Sequence, residues 1–239
     1  MEEQPVRKEY LICEERKVFY LLIMNAGMMG AYTFNLRGGV FCNAQTANFV
    51  MMSIAFGKGE WAHGLYFMIP VTAYFLGAVI SEILPTPIKE HSYLRWDTML
   101  VGFEWVALFL IGCVPLSWPD QIVQVAINFI ASMQYNTFRQ AEGVPAATTF
   151  CTNHLRQVGI AFAKVVRKRD RAAIERGNVH LKMLVSFAIG GSILTVMTGP
   201  MQENSIWLAL IPLGIVFARL LYADLMVEKD EFERKPAGH

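Results

Sequence analysis

Two short stretches of this sequence gather the side chains best able to hold a small solute. The first contains Asn43, Gln45, Thr46 and Asn48 and follows Arg37-Gly38-Gly39. The second contains Thr148, Thr149, Thr152 and Asn153 and follows Gly143-Val144-Pro145. Each opens a short apolar run, so amides and hydroxyls collect where a helix begins. A helix start offers free N–H groups and the positive end of the helix dipole. Two such starts facing one another would hold an anion or a carbonyl oxygen. The same residue types also cap helices and join them to neighbours; their occurrence in two copies favours a site. Gln134 and Asn136 lie just ahead of the second stretch and extend the candidate solute-binding set. Glu104, inside the apolar Thr98–Leu116, is a candidate for ion coupling or a buried pair, and Arg156 is a second ion-coupling candidate that would pair with Glu104 or with an anionic ligand. Ser/His/Asp, phosphate-loop and HExxH patterns are absent, so no catalytic set and no enzyme is expected. His63, His91, His154 and His180 are scattered, which argues no metal site, and no cofactor is implied. Cys13, Cys42, Cys113 and Cys151 form no CxxC pair and read as free thiols.

These groups are set among long apolar segments. Hydrophobic residues make up 54% of the 239, charged residues 17%, and the mean hydropathy is +0.35, against about 25% charge in an ordinary soluble domain. Charge gathers at the N-terminus, around 85–97, between 164 and 182, and at the C-terminus. The sequence therefore predicts an all-α polytopic membrane helix bundle whose partner is the lipid bilayer. Eight helical segments are expected: Val18–Leu36, Phe49–Phe56, Leu65–Ser81, Thr98–Leu116, Gln121–Phe138, Phe150–Val166, His180–Thr198 and Ile206–Tyr222. Six are long enough for full spans at ~1.5 Å per residue across ~30 Å of hydrocarbon. The second and sixth are short or broken. Pro85-Thr86-Pro87 reads as a chain break and 164–179 as a basic linker. A net charge of +1 excludes a nucleic-acid signature.

An internal two-fold repeat organises the segments. Thr46 to Lys58 aligns with Thr152 to Lys164, sharing Thr, Lys and an Ile-Ala-Phe-x-Lys run, and Thr33-Phe34 and Gly39-Val40 align with Thr137-Phe138 and Gly143-Val144. The expected division is 1–17, a cytoplasmic N-terminal segment; 18–225, a membrane domain with repeats 18–116 and 121–225; and 226–239, a cytoplasmic tail. Lys and Arg bias places both termini and 164–179 in the cytoplasm. Repeats of four spans each would be parallel and repeats of three spans inverted; the positions of Lys89, Arg95 and Arg139 favour the inverted scheme.

Gly39 through Asn48, Ser132-Met133-Gln134-Tyr135-Asn136, and Thr148-Thr149 through Thr152 together resemble the motifs of the YoaK family, bacterial multi-pass membrane proteins of unknown function. The likeness covers about Asn25 to Leu221. Ala47 departs from a frequent glycine, and Gly30 stands where many members carry an aspartate, so a mechanism using that carboxylate is not carried over. The resemblance implies the bacterial cytoplasmic (inner) membrane. The layout of a polar stretch followed by a short helix is also similar to nucleobase and sulfate permeases, as a likeness of fold alone.

The expected function is a small secondary transporter or permease for a small polar or anionic solute. A channel-like pore and a non-transporting membrane scaffold or partner subunit are the alternatives. Self-association into a homo-oligomer is compatible with the sequence.

Overall fold

The computed structural model describes residues 9–232 and 234–236, with the backbone alone at 89–91 and 168. After a 3-10 turn, Ile12–Glu14, the chain runs α1 (Arg16–Leu36), α2 (Gln45–Gly57), α3 (Trp61–Ile83), α4 (Pro85–His91), α5 (Trp96–Gly112) and α6 (Asp120–Thr137). A two-stranded hairpin, β1 (Gln140–Ala141) and β2 (Val144–Pro145), comes next. Then follow α7 (Thr152–Lys168), α8 (Arg171–Met201), a 3-10 segment Gln202–Ala209, α9 (Leu210–Tyr222) and a π turn, Ala223–Val227. The all-α expectation holds. Among the described residues, two helical stretches are long and apolar enough to cross a membrane: Trp61–Ile83, and a window within the continuous run Arg171–Val227.

Three local features differ from the sequence reading. Pro85-Thr86-Pro87 starts α4 instead of breaking the chain, because proline in a first helical turn loses no hydrogen bond. The basic stretch 164–179 is helical on both sides of a two-residue corner. Arg169 there takes a left-handed conformation (φ 50°), and Asp170 caps α8 by accepting from Ala172 and Ala173 N–H. The second polar stretch begins as a hairpin whose turn, Glu142-Gly143, has positive φ at both residues, the twist that matches paired strands.

α1, α6, α5 and α9 form a ring in which each packs on the next, with α8 outside α1 and α3 outside α6. α2 packs on α3 and α7 on α8. This set of contacts is unchanged when α1, α2, α3 and α5 are exchanged for α6, α7, α8 and α9. The outer pairs run parallel and close. A Cβ on Gly27 would overlap the Phe187 carbonyl, one on Gly190 the Met24 carbonyl, and one on Gly77 the Phe129 carbonyl. Small residues let helix backbones approach where the surroundings supply no hydrophobic drive between helices.

α5 and α9 run antiparallel, and their contact is reciprocal. Trp105 Nε1 donates to Leu210 O at 3.1 Å, and Trp207 Nε1 donates to Phe109 O at 3.0 Å. Gly214 makes room for the Trp105 indole and Gly112 for that of Trp207. The two sequences share Trp-x-Ala-Leu-x-x-x-Gly, at Trp105 to Gly112 and Trp207 to Gly214, a correspondence the sequence reading did not register. Trp207→Phe removes one indole bond and leaves the Phe109 carbonyl without that donor; a loss of about 1 kcal/mol is expected, read as a lower melting temperature in detergent. Trp105→Phe, whose bond to Leu210 is the more buried of the two, should lose at least as much.

The surface is apolar and the interior partly polar. Leu181, Val185, Ile189, Ile193 and Val196 form one exposed stripe along α8, and α3 exposes Leu65, Met68, Phe75, Leu76 and Ile83. Asn25, Asn43, Asn48, Glu104, Gln124, Asn128 and Gln134 are buried.

Candidate functional site

The first polar stretch folds onto itself and onto α1 and α6. Asn48 Oδ1 accepts from Phe41 N at 3.2 Å while its Nδ2 donates to Phe41 O at 2.7 Å and to Gln45 Oε1 at 3.1 Å. One amide thus clasps the loop seven residues back. Asn43 Nδ2 donates to Ala26 O at 3.0 Å and lies against Gly30; a Cβ at Gly30 would come 3.1 Å from that nitrogen. Gln45 Nε2 donates to Asn128 Oδ1 at 2.7 Å. Asn128 is in turn tied to Gln124 O, and Gln124 donates to the Arg37 carbonyl at 2.8 Å and to the Tyr66 hydroxyl.

The second stretch repeats the clasp with a different residue. His154 Nε2 bonds to Ala147 O at 2.7 Å, again seven residues back. In α2 the buried positions are Asn48 and Ala55; their counterparts in α7 under the Thr46/Thr152 alignment, His154 and Ala161, are also buried. His154 Nδ1 stands 2.8 Å from Nδ1 of His180. With Nε2–H committed to the carbonyl, His154 Nδ1 accepts and His180 Nδ1 carries the proton. The sequence reading took these histidines as scattered; the α7–α8 hairpin brings them together.

The helix-start threonines do not face the interior. Thr46 is exposed and lines a shallow depression with Phe49, Val50, Ser53 and Ile54. Thr152 is exposed, and Asn153 is half-buried and accepts from Arg156 Nη2 at 3.0 Å. The physical reason is helical spacing: Asn48 and His154 take the inward positions, so the residues two places earlier point elsewhere. Arg156 is exposed and does not reach Glu104, contrary to the pairing expected from sequence.

Inside the bundle are polar atoms with no hydrogen-bond partner. Thr148 and Thr149 are fully buried with free hydroxyls. Tyr74 of α3 aims its buried hydroxyl at Thr149, with Tyr135 and Cys42 nearby, though neither hydroxyl bonds the other. Cys42 belongs to the first stretch and Thr149 to the second, so residues of both stretches lie near Tyr74. Ser132, Gln134, Asn25 and both oxygens of Glu104 are also buried and unpartnered. Sequence reasoning missed Tyr74 and Asn25: a tyrosine or one asparagine in an apolar helix carries no motif. All four cysteines are free thiols.

A cavity of about 570 Å³ lies between the ends of α3, α5 and α6 and the C-terminal segment. Ser81, Trp96 and Asn136 line it, beside the charged Glu82, Arg95 and Arg139. Asn136 Nδ2 donates to Ser81 Oγ at 2.9 Å and to Glu82 Oε2 at 3.1 Å, while its Oδ1 accepts from Arg139 Nη2 at 2.7 Å. Of the candidate residues, then, Asn136 lines the cavity and Gln134 lies one half-turn deeper on α6. Thr149 lies by Tyr74, Thr148 is buried without a partner, and Asn43, Gln45 and Asn48 are held by bonds within the loop and to neighbouring helices.

A helix bundle with an apolar exterior, closely packed glycines and buried, unpaired polar groups defines the class of protein. The family model described as "Protein of unknown function (DUF1275)" matches residues 18–219, and the chain belongs to that family. YoaK-like proteins are placed in it, in agreement with the motif resemblance at that level. No curated protein and no solved structure matches the chain.

Proposed function

We propose that this protein is a small secondary transporter or permease for a small polar or anionic solute, built from two inverted repeats in the bacterial cytoplasmic membrane. The observation that carries the reading is the set of buried polar atoms left without partners inside an apolar-coated bundle. Such atoms cost free energy unless water or a ligand meets them, and in hydrocarbon non-helical backbone survives only beside protein or a wet cavity. Thr148, Thr149 and Tyr74 then supply hydroxyls to the solute, at the place where the two repeats meet.

Orientation supports inversion. Equivalent helices α5 and α9 are antiparallel. So are α1 and α6, where Phe19 meets Phe138 at one end and Arg37 lies 3.9 Å from Asp120 at the other. A two-fold axis relating antiparallel helices lies in the membrane plane. α2, with 13 residues, covers about 20 Å and is too short to span. Setting α2 and its counterpart α7 aside as the entry helices of the two repeats leaves α1, α3, α5, α6, α8 and the helical run Gln202–Val227 that contains α9 as six spans with both termini cytoplasmic. The cavity then opens to the cytoplasm. Four basic side chains line it (Arg95, Arg139, Arg234 and Lys235) with the acidic Glu82 and Asp97, and the pairs of Arg95 with Glu228, Arg139 with Glu82 and Arg234 with Glu231 offset most of that positive charge.

The test is osmotic swelling of proteoliposomes in a panel of small carboxylates, phosphate and neutral polar solutes. Wild type should admit at least one solute about tenfold faster than empty liposomes, and Thr149→Val should abolish the difference without lowering the melting temperature, since it deletes an unpaired hydroxyl at constant volume. Thr46→Val and Thr152→Val, both exposed, should behave as wild type. Rates equal to empty liposomes across the panel would leave a non-transporting scaffold as the better account. Flux that does not saturate with concentration would indicate a pore.

A further inference from the structure

Glu104 is the midpoint of α5, residues 96–112, and Asn25 lies one residue from the midpoint of α1, residues 16–36. The antiparallel register of α1 and α6, fixed by Phe19 with Phe138 and by Gln124 with the Arg37 carbonyl, sets Asn25 opposite the turn that carries Gln134. All three residues are at most 1% exposed, and no side-chain oxygen or nitrogen of any of them has a partner. They come from three helices of the central ring. The fourth helix, α9, turns Leu213 and Val216 to the core.

The charged groups of the packed elements lie elsewhere. Arg16 and Lys17 start α1, Asp97 starts α5 and Asp120 starts α6, while Arg219 ends α9 and Glu203 lies in the preceding 3-10 segment. Among the described residues, no group of three His, Cys, Asp or Glu side chains is assembled to hold a multivalent metal. The centre of the bundle therefore contains one carboxyl, two primary amides and no counter-charge. A lone carboxylate is among the costliest groups to bury, and one positive charge removes that cost. The amide oxygens of Asn25 and Gln134 are acceptors that such a charge would also use.

We propose that Glu104, the buried carboxyl at the middle of α5, holds a single positive charge, a proton or a sodium ion, with the unpartnered amides of Asn25 and Gln134 as further acceptors inside the ring. Its use as the coupling ion rests on the transport reading above; its occupancy does not. Gln134 lies about 3 Å along the α6 axis from Asn136, which lines the cavity.

The test compares wild type with Glu104→Gln, which keeps the shape and removes the charge, and with Glu60→Gln, an exposed control. Melting temperature in detergent is followed against sodium chloride at fixed pH, with choline chloride holding ionic strength, and against pH without sodium. For sodium, wild type gains about 4 °C per tenfold rise above its dissociation constant, and Glu104→Gln gains nothing. For a proton, sodium has no effect, and wild type loses about 4 °C per pH unit relative to Glu104→Gln over the range in which the unfolded chain has released the proton that the folded state still holds. Glu60→Gln follows wild type in both series. Identical responses of wild type and Glu104→Gln in both series overturn the proposal. If Glu104→Gln does not fold, radioactive sodium binding and proton uptake by wild type decide: about one ion or proton per chain supports the site, and neither overturns it. No transported solute enters these readings, so a protein that moves nothing can still pass them.

Discussion

Arg95→Ala should be the most destabilising single change among the residues lining the cavity, at about 3–5 kcal/mol. Arg95 is buried between two buried acids. Its Nη1 donates to Glu228 Oε2 at 2.8 Å, its Nη2 to Glu231 O at 2.7 Å, and its backbone N to Asp224 Oδ2 at 2.9 Å. Thr98 Oγ1 adds a bond to the same Asp224 oxygen at 2.7 Å, and Ile12 N donates to Glu228 Oε1 at 2.7 Å. The network joins the segment before α1, the start of α5 and the π turn after α9. Removing the guanidinium leaves Asp224 and Glu228 without the cation between them, which costs far more than losing an exposed pair. Lysine restores the charge but not the fork that reaches Glu228 and Glu231 together. Arg95→Lys should therefore recover part of the loss. Arg139→Ala, at an exposed pair with Glu82, should change stability by less than about 1 kcal/mol. Thermal unfolding of the three variants in one detergent checks the order.

Gly190→Ala should also be severe, although it adds one methyl group. Its Cβ would overlap the Met24 carbonyl of α1, a backbone atom that cannot rotate away. α1 and α8 must separate, and every contact along the pair is weakened. The expected cost is about 1–3 kcal/mol, or more if the helices cannot shift. Gly199→Ala, near the C-terminal end of the same helix, meets nothing within 4 Å, so it should be neutral or gain up to ~1 kcal/mol from helix propensity. Size-exclusion profiles and melting curves separate the outcomes. Equal behaviour of the two variants would show that the α1–α8 approach is not tight.

Composition and periodicity determined the all-helical class, the approximate place of each long helix, and the short second segment. Apolar runs interrupted by charge permit few other structures, because backbone groups away from water must bond within their own segment. The Thr46/Thr152 alignment also picked out positions whose burial agrees, Asn48 with His154 and Ala55 with Ala161. Which polar residues face inward was not legible. Two polar groups two residues apart on a helix point in different directions, so a cluster such as Gln45-Thr46-x-Asn48 marks a region without assigning a role to each member. There the structure places Asn48 inside as a clasp and Thr46 outside. Pairings distant in sequence were equally hidden: Tyr74 beside Thr149, His154 with His180, Arg95 with Glu228, and Trp105 and Trp207 bonding across α5 and α9. Each depends on how whole helices pack, and that packing is set by glycines at Gly27, Gly77 and Gly190. A glycine reads the same in sequence whether it meets a carbonyl or, like Gly199, open space. The sequence alone determined a membrane-like helical chain with an internal echo; only the tertiary structure decided which buried groups are satisfied and which, like Glu104, are not.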